Sequence, residues 1–370
     1  MENARLSGWQ MFTVTYSLVI GTTYILLPGK LMADAKQYAW LIVVWSTLYG
    51  LLLAGVWLYL AKHYPGKGII EIANEILGKW AGGVVSLLYI FYFIQMASWV
   101  TRNLGDFMHG TLMPRTPVPM FIILTLFACA YAVVKGIETI AIVCELITPY
   151  MVIAFWLPFS FMLREWDWKY FKVPFDFHIL PVMIDTNYAF AFPFMETVAL
   201  MMLFPFVGQR LKTSYLLGIG IGGLILTLCM FFTIGILGTA RGSALVYPIF
   251  TIFREMQFSR FIEHLEAVIS INILLLVCLK LSILFYCAVL GICQLFKIKR
   301  RATVAYPLVW FMSAYSLLFA NILENIVWIQ KYLFPYYMLF SIIIPILLIL
   351  LTWIRNIRNK PKLLKNHSTA

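Results

Sequence analysis

The stretch FAFPFMETVALMMLFPF, Phe190 to Phe206, decides how the chain is read. It is almost wholly apolar, as a segment lying in hydrocarbon must be. Yet Pro193 interrupts it, and a carboxylate, Glu196, follows three residues later. A proline inside a helix removes one N–H donor and frees a carbonyl one turn earlier. An ionised carboxylate at that depth costs roughly 2.5–3.5 kcal/mol on insertion scales. Both are tolerated together only where the stretch faces protein, water or a ligand rather than lipid.

The rest of the chain supplies the membrane. Its 370 residues are 62% hydrophobic and 12% charged, with a mean hydropathy of +0.88. Soluble domains carry about 25% charged residues. Apolar runs of about 20 residues, long enough for a ~30 Å hydrocarbon layer, recur along the sequence. They place ten spans near 9–29, 39–61, 81–105, 118–134, 137–163, 186–207, 213–239, 262–294, 303–321 and 335–354. The expected architecture is an all-α polytopic membrane domain over 1–370. Its first repeat covers about 9–163, its second about 186–354, and a basic tail fills 355–370. The run from Trp9 is read as the first span and not as a signal peptide.

Charge sets the orientation. With both termini on one side, sixteen Lys and Arg fall on that side and eleven on the other; Lys280, inside a span, completes the 28. The cluster KIKRR (297–301) and the tail RNIRNKPKLLK (355–365) dominate the bias, which puts both termini in the cytoplasm. Either segment is also suited to anionic lipid heads. The net charge of +12 therefore belongs to loops and not to a nucleic-acid surface. The six cysteines form no CxxC or Cys/His cluster, and no metal or cofactor set is expected. No nucleophile–base pair or phosphate loop points to an enzyme.

Interfacial segments are expected at 63–80, where Ile69, Ile72, Ala73, Ile76 and Leu77 share one helix face, at 164–182 and at 247–261. Pro28 is expected to close the first span. Inside the spans, Glu145, Glu196, Glu266 and Lys280 stand out. Lys280 should meet a carboxylate or bare carbonyls, either as a fixed charge at a binding or ion site or as a tether between helices. Gly21, Thr22 and Thr23 interrupt span one at mid-membrane, as Pro193 interrupts span six. Spans one and six are the first members of two five-span halves. Paired breaks of that kind point to an inverted-repeat transporter fold. The N–H groups restarting after Gly21 suit a carboxylate, and carbonyls near Ala191 and Phe192 suit an ammonium. Phe192 and Phe194 would close over a side chain, with Gln95, Ser98, Lys280 and Ser282 as walls. A zwitterionic amino acid meets those demands.

Four blocks carry a resemblance. YPGKGIIEIANEILGKWAGGVVSLLYIFYF (64–93), KGIETIAIVCELITPYM (135–151), METVALMMLFPFV (195–207) and the run from YPIFTIFREMQF to LKLSILFY (247–286) resemble the spore germination permease family. The resemblance implies a fold of the amino acid–polyamine–organocation type (LeuT-like), with a five-plus-five inverted repeat and broken helices 1 and 6. It implies the B subunit of a nutrient germinant receptor in the spore inner membrane. Its partners would be a membrane-embedded A subunit and a lipoprotein C subunit, and its ligand a small nutrient, often an amino acid. The chain departs from the family pattern at Ile142, Cys144 and Ile273, so a charge network around Glu145 and the family's ligand preference do not carry over. The alternative on the same fold is a symporter, with Glu196 or Glu145 carrying a proton, or Thr23 or Ser282 holding Na⁺.

Overall fold

A computed structural model describes residues 4–172, 186–255, 265–319 and 322–366. These are helical nearly throughout, and the one strand-like feature among them is an isolated bridge between Leu6 and Val207. The first span is two helices, α1 (Gly8–Ile20) and α2 (Thr23–Ala35). A turn leads into α3 (Ala39–His63), followed by α4 (Ile69–Phe107), α5 (Val118–Lys135) and α6 (Ile137–Phe161). The sixth span begins with α7 (Thr186–Ala189) and continues as irregular and 3₁₀ turns to Phe206. Then come α8 (Leu211–Leu237), the short α9 (Thr239–Ala244) and α10 (Pro248–Glu255), and α11 (Leu265–Phe296). The fold ends in α12 (Ala302–Ser316), α13 (Ile322–Met338) and α14 (Ile344–Asn366).

Seven of the described helical stretches are long and apolar enough to cross a membrane. The first span, the sixth and α12 fall short for a simple reason. The first two are broken into short pieces, and α12 has 15 residues. The protein is a ten-span membrane protein with its first and sixth helices broken. Large apolar side chains stand on its outside, Leu52, Leu124, Tyr150, Leu224 and Trp310 among them, as a lipid-facing surface requires.

Packing is closest where side chains are smallest. A Cβ on Gly218 of α8 would lie 2.6 Å from Thr15 of α1, and one on Gly222 would lie 2.8 Å from Val19. Small residues let membrane helices approach and gain dispersion contacts that lipid cannot give. On the other flank, α11 packs against α4, α5 and α6 and is buried along most of its length.

Contacts fix which ends share a face. Leu6 N–H donates to the Phe206 carbonyl (2.8 Å), Arg5 N–H to Glu138 Oε1 (2.7 Å), and Arg355 Nη1 to the Glu75 carbonyl (3.1 Å). The chain start, the end of the sixth span, the α5–α6 turn and α14 thus meet on one side, called here the terminal face.

Several expectations needed correction. Pro28 does not close the first span; α2 runs on through it to Ala35. The interfacial helix of 63–80 exists, but it is the first part of α4, set off from the span by Gly78 at φ 80°. Its Ile69, Ile70, Ile72 and Ala73 are buried in protein. Span three continues to Phe107, so Arg102 is no loop charge but a buried one. The tenth span starts well before 335: α13 joins α14 through a wide turn at Leu339–Ile343. The carbonyls that turn loosens are caught, Phe340 O by the Tyr89 hydroxyl (2.7 Å) and Ser341 O by Trp57 Nε1 (2.8 Å). The segment 164–182 forms 3₁₀ turns as far as Phe171 and then leaves the described residues, as does 247–261 beyond Glu255.

Candidate functional site

The two breaks meet at the centre of the bundle. In the first span the helix ends at Ile20, Gly21 takes φ 8° and ψ −104°, and α2 restarts at Thr23. In the sixth, Phe192 is extended (φ −118°, ψ 102°) and a cis bond leads into Pro193. After it the chain winds as a 3₁₀ helix from Met195 to Met202. That winding leaves carbonyls poorly served, and neighbours serve them. The Ser341 hydroxyl donates to Met195 O (2.9 Å), Tyr215 to Thr197 O (3.0 Å) and Thr197 to Phe194 O (2.7 Å).

Lys280 of α11 joins the breaks. It is wholly buried. Its carbon stem lies against Gly21, where an added Cβ would overlap Lys280 Cδ and sit 2.9 Å from Lys280 Cβ. Its Nζ reaches Glu196 Oε2 at 2.5 Å and lies 4.6 Å from the centre of the Phe192 ring. The other carboxylate oxygen of Glu196 accepts from the Tyr337 hydroxyl at 3.1 Å. A buried ion pair is tolerable only when both charges are matched and their remaining valences hydrogen-bonded. Here Phe192 adds a π face and Tyr337 a donor. Pro193 and Glu196 stand together because the break turns Phe192 and Glu196 onto one ammonium. Thr22 and Thr23, beside Gly21, are buried, and their hydroxyls have no hydrogen-bond partner among the described residues.

Not every expected wall arrives. Gln95 stands beside Tyr315 of α12, while the Ser98 hydroxyl turns back to the Ile94 carbonyl (2.8 Å) and the Ser98 carbonyl accepts from the Ser316 hydroxyl at 3.0 Å. Neither side chain lines the cavity at the breaks. The adjoining face of α4, with Met96, Trp99, Val100 and Asn103, lines the small cavity that touches Glu196 and Phe192. Ser282 lies two residues past Lys280, about 200° round the helix, and meets Cys129 of α5. Phe194 packs on Gly50 of α3 and not over the break. Glu145 is half-buried on α6 and forms no ion pair among the described residues. Glu266 sits fourteen residues before Lys280, about 21 Å away along α11.

Sequence reasoning also missed residues. Tyr337 gave no signal beyond being a tyrosine in a span. Tyr24 donates to Asn272 Oδ1 (3.3 Å), and Asn272 Nδ2 to Met151 O (2.7 Å), a polar tie between α2, α11 and α6 that an asparagine inside span eight could have announced. Arg102 Nε lies 2.9 Å from both carboxylate oxygens of Asp106, with both side chains buried. Ending span three at 105 concealed that pair.

Comparison with known proteins bears on the fold and the family. Among solved structures, the fold resembles MhsT in complex with L-phenylalanine (TM-score 0.63, 15% identity, 92% of this chain and 88% of that one). It also resembles Mhp1, a nucleobase-cation-symport-1 family transporter with bromovinylhydantoin bound (TM-score 0.61, 11% identity, 88% and 75%). Both have the LeuT fold, and the likeness at such identities is one of fold. In sequence, the chain is 27% identical over 316 residues to spore germination protein KB of Bacillus subtilis (strain 168), covering 83% of each. It is 21% identical over 352 residues to spore germination protein A2 of the same organism, covering 91% of this chain and 95% of that one. The family model described as spore germination protein matches residues 5–326. The chain is thus a LeuT-fold membrane protein that belongs to the spore germination protein family.

Proposed function

We propose that this protein is the membrane subunit of a nutrient germinant receptor that binds a small amino acid where helices one and six break, and signals to partner subunits. The observation that carries this reading is the Lys280–Glu196 pair at the meeting of the breaks. A zwitterion bears the same two charges. Its carboxylate is the natural replacement for Glu196 beside Lys280, and its ammonium the natural replacement for Lys280 beside Glu196. The idle hydroxyls of Thr22 and Thr23 would serve the carboxylate, and Phe192 would cover the guest. Entry of ligand opens the pair and favours a second arrangement of the breaks. It shifts that balance only by its differential affinity for the two states. The partners would be a membrane-embedded A subunit and a lipoprotein C subunit in the spore inner membrane, with the terminal face toward the spore core. The two repeats would run over about 9–163 and 186–354.

The symporter reading draws support from the fold, since one similar structure is titled a Na⁺-coupled sialic acid symporter. Against a Na⁺ ion at the break stands Lys280, whose charge there would repel it. Reconstitution in liposomes separates the readings. With L-alanine, L-valine and L-leucine as probes, a sensor gives saturable binding, lost in Glu196→Gln, with no accumulation under a Na⁺ or proton gradient. Gradient-driven accumulation would make the protein a symporter.

A further inference from the structure

We infer that the face opposite the termini carries a second binding site for a small α-amino acid, separate from the helix breaks. It is a cavity of about 220 Å³ between α2, the outer end of α4, the α9–α10 turn, Tyr188 and α13. The cavity at Glu196 measures about 20 Å³. Since 10–15 Å³ suffices for one water, the break as it stands has room for little more than that. The outer cavity has room for a guest of several heavy atoms.

Its lining is built for both ends of a zwitterion. Asn325 is 1% exposed. Its amide Nδ2 donates to Asn103 Oδ1 at 3.2 Å, while its own Oδ1 has no partner among the described residues. The Tyr247 hydroxyl is likewise buried without one. Buried polar atoms are seldom left unpaired, and those that are mark a site for water or ligand. Here the two are an idle acceptor and an idle hydroxyl on the walls of one cavity. Asp106 adds a carboxylate held by Arg102, and Lys30, paired with Asp34 at 2.6 Å, adds an ammonium. An ammonium group fits Asn325 Oδ1 and Asp106; a carboxylate fits the Tyr247 O–H and Lys30. Leu26 and Ile329 leave an apolar wall for a short side chain.

The cavity also has a place in the protein's working. Leu26, Asn103, Tyr188 and Ile329 line both it and the small cavity at Glu196. A ligand held outside is one layer of side chains from the ion pair. The site stands on its own lining, so it does not require the breaks to bind anything.

The test uses the full chain in lipid nanodiscs, with Ser243→Cys placed on the cavity wall. The rate at which that cysteine reacts with a cationic methanethiosulfonate is read by mass spectrometry. L-alanine, L-valine and L-leucine are the probes, each at 10 mM. At least one should slow labelling about fivefold or more. The slowing should persist in Glu196→Gln, which removes the central carboxylate. It should need about tenfold more ligand in Tyr247→Phe, which keeps the ring and hence the packing, and in Asn325→Leu. Size-exclusion profiles confirm that each variant is folded. No protection by any probe overturns the inference, as does protection that ignores Tyr247→Phe and Asn325→Leu. Protection lost in Glu196→Gln alone would also overturn it, by placing the ligand at the breaks.

Discussion

The breaks in helices one and six do the same thing by opposite means. The first is made by a missing side chain. Gly21 turns the backbone and leaves a space, and the carbon stem of Lys280 fills it. The second is made by a missing N–H. Pro193 ends the regular ladder, and the 3₁₀ winding that follows it leaves carbonyls that hydroxyls from neighbouring helices fill. A space accepts a bulky stem and carbonyls accept donors, so each break selects its own kind of occupant. One residue serves both: Lys280 rests its stem on the first break and its charge on Glu196 and Phe192 of the second. The difference teaches that the paired breaks form one unit through a third helix, α11, rather than through direct contact alone.

The sharpest way to break that unit is to remove the bridge. Lys280→Met leaves Glu196 buried without its cation, and losing one member of a buried pair costs about 3–5 kcal/mol. Thermal unfolding in detergent should show the loss, and the double variant Lys280→Met/Glu196→Gln should recover most of it. A double variant no more stable than Lys280→Met alone would mean that charge pairing is not what links the breaks.

Tyr337→Phe touches the sixth-helix side only. It deletes the 3.1 Å hydrogen bond to Glu196 Oε1 while keeping the ring. A hydrogen bond to a charged group contributes about 1.5–3 kcal/mol, and the same unfolding measurement should show a loss in that range. Gly21→Ala acts from the first-helix side, through the Lys280 stem. Its Cβ would overlap Lys280, and overpacking of this kind costs about 1–3 kcal/mol. It should also weaken ligand binding more than Tyr337→Phe does, because displacing the stem disturbs both breaks. Equal effects on binding would show the first break to be mere packing.

Much of this was legible in the sequence, for physical reasons. Hydrocarbon demands long apolar runs, so the spans were plain. Glycine at Gly21 and proline at Pro193 are the residues that interrupt helices, so the breaks were plain too. Lys280 and Glu196 were singled out because charge at that depth needs a partner, and the structure makes them each other's. What stayed hidden was rotation and register. Gln95 and Ser98 are on the right helix but one face round from Met96, Trp99 and Asn103. A 100° error on a span with little amphipathic signal is invisible to periodicity. Arg102, Asp106 and Asn325 were hidden by span edges, since polar residues near an edge read as loop until tertiary contacts show them buried.

The smallest expected effect asks whether Phe192 is a partner of Lys280 or only its wall. A desolvated cation–π contact contributes about 0.5–2 kcal/mol, and Nζ stands 4.6 Å from the ring centre. Phe192→Leu keeps an apolar side chain but removes the π face, so its total cost mixes a packing loss with the lost attraction. A double-mutant cycle with Lys280→Met separates them, because the packing loss appears in both backgrounds and cancels. A coupling of about 1 kcal/mol would make the aromatic ring part of the charge site. Coupling near zero would reduce it to a lid. In that case Glu196 alone would hold Lys280 at the sixth helix, and the second break would act through its carboxylate rather than through the residue at which its backbone turns.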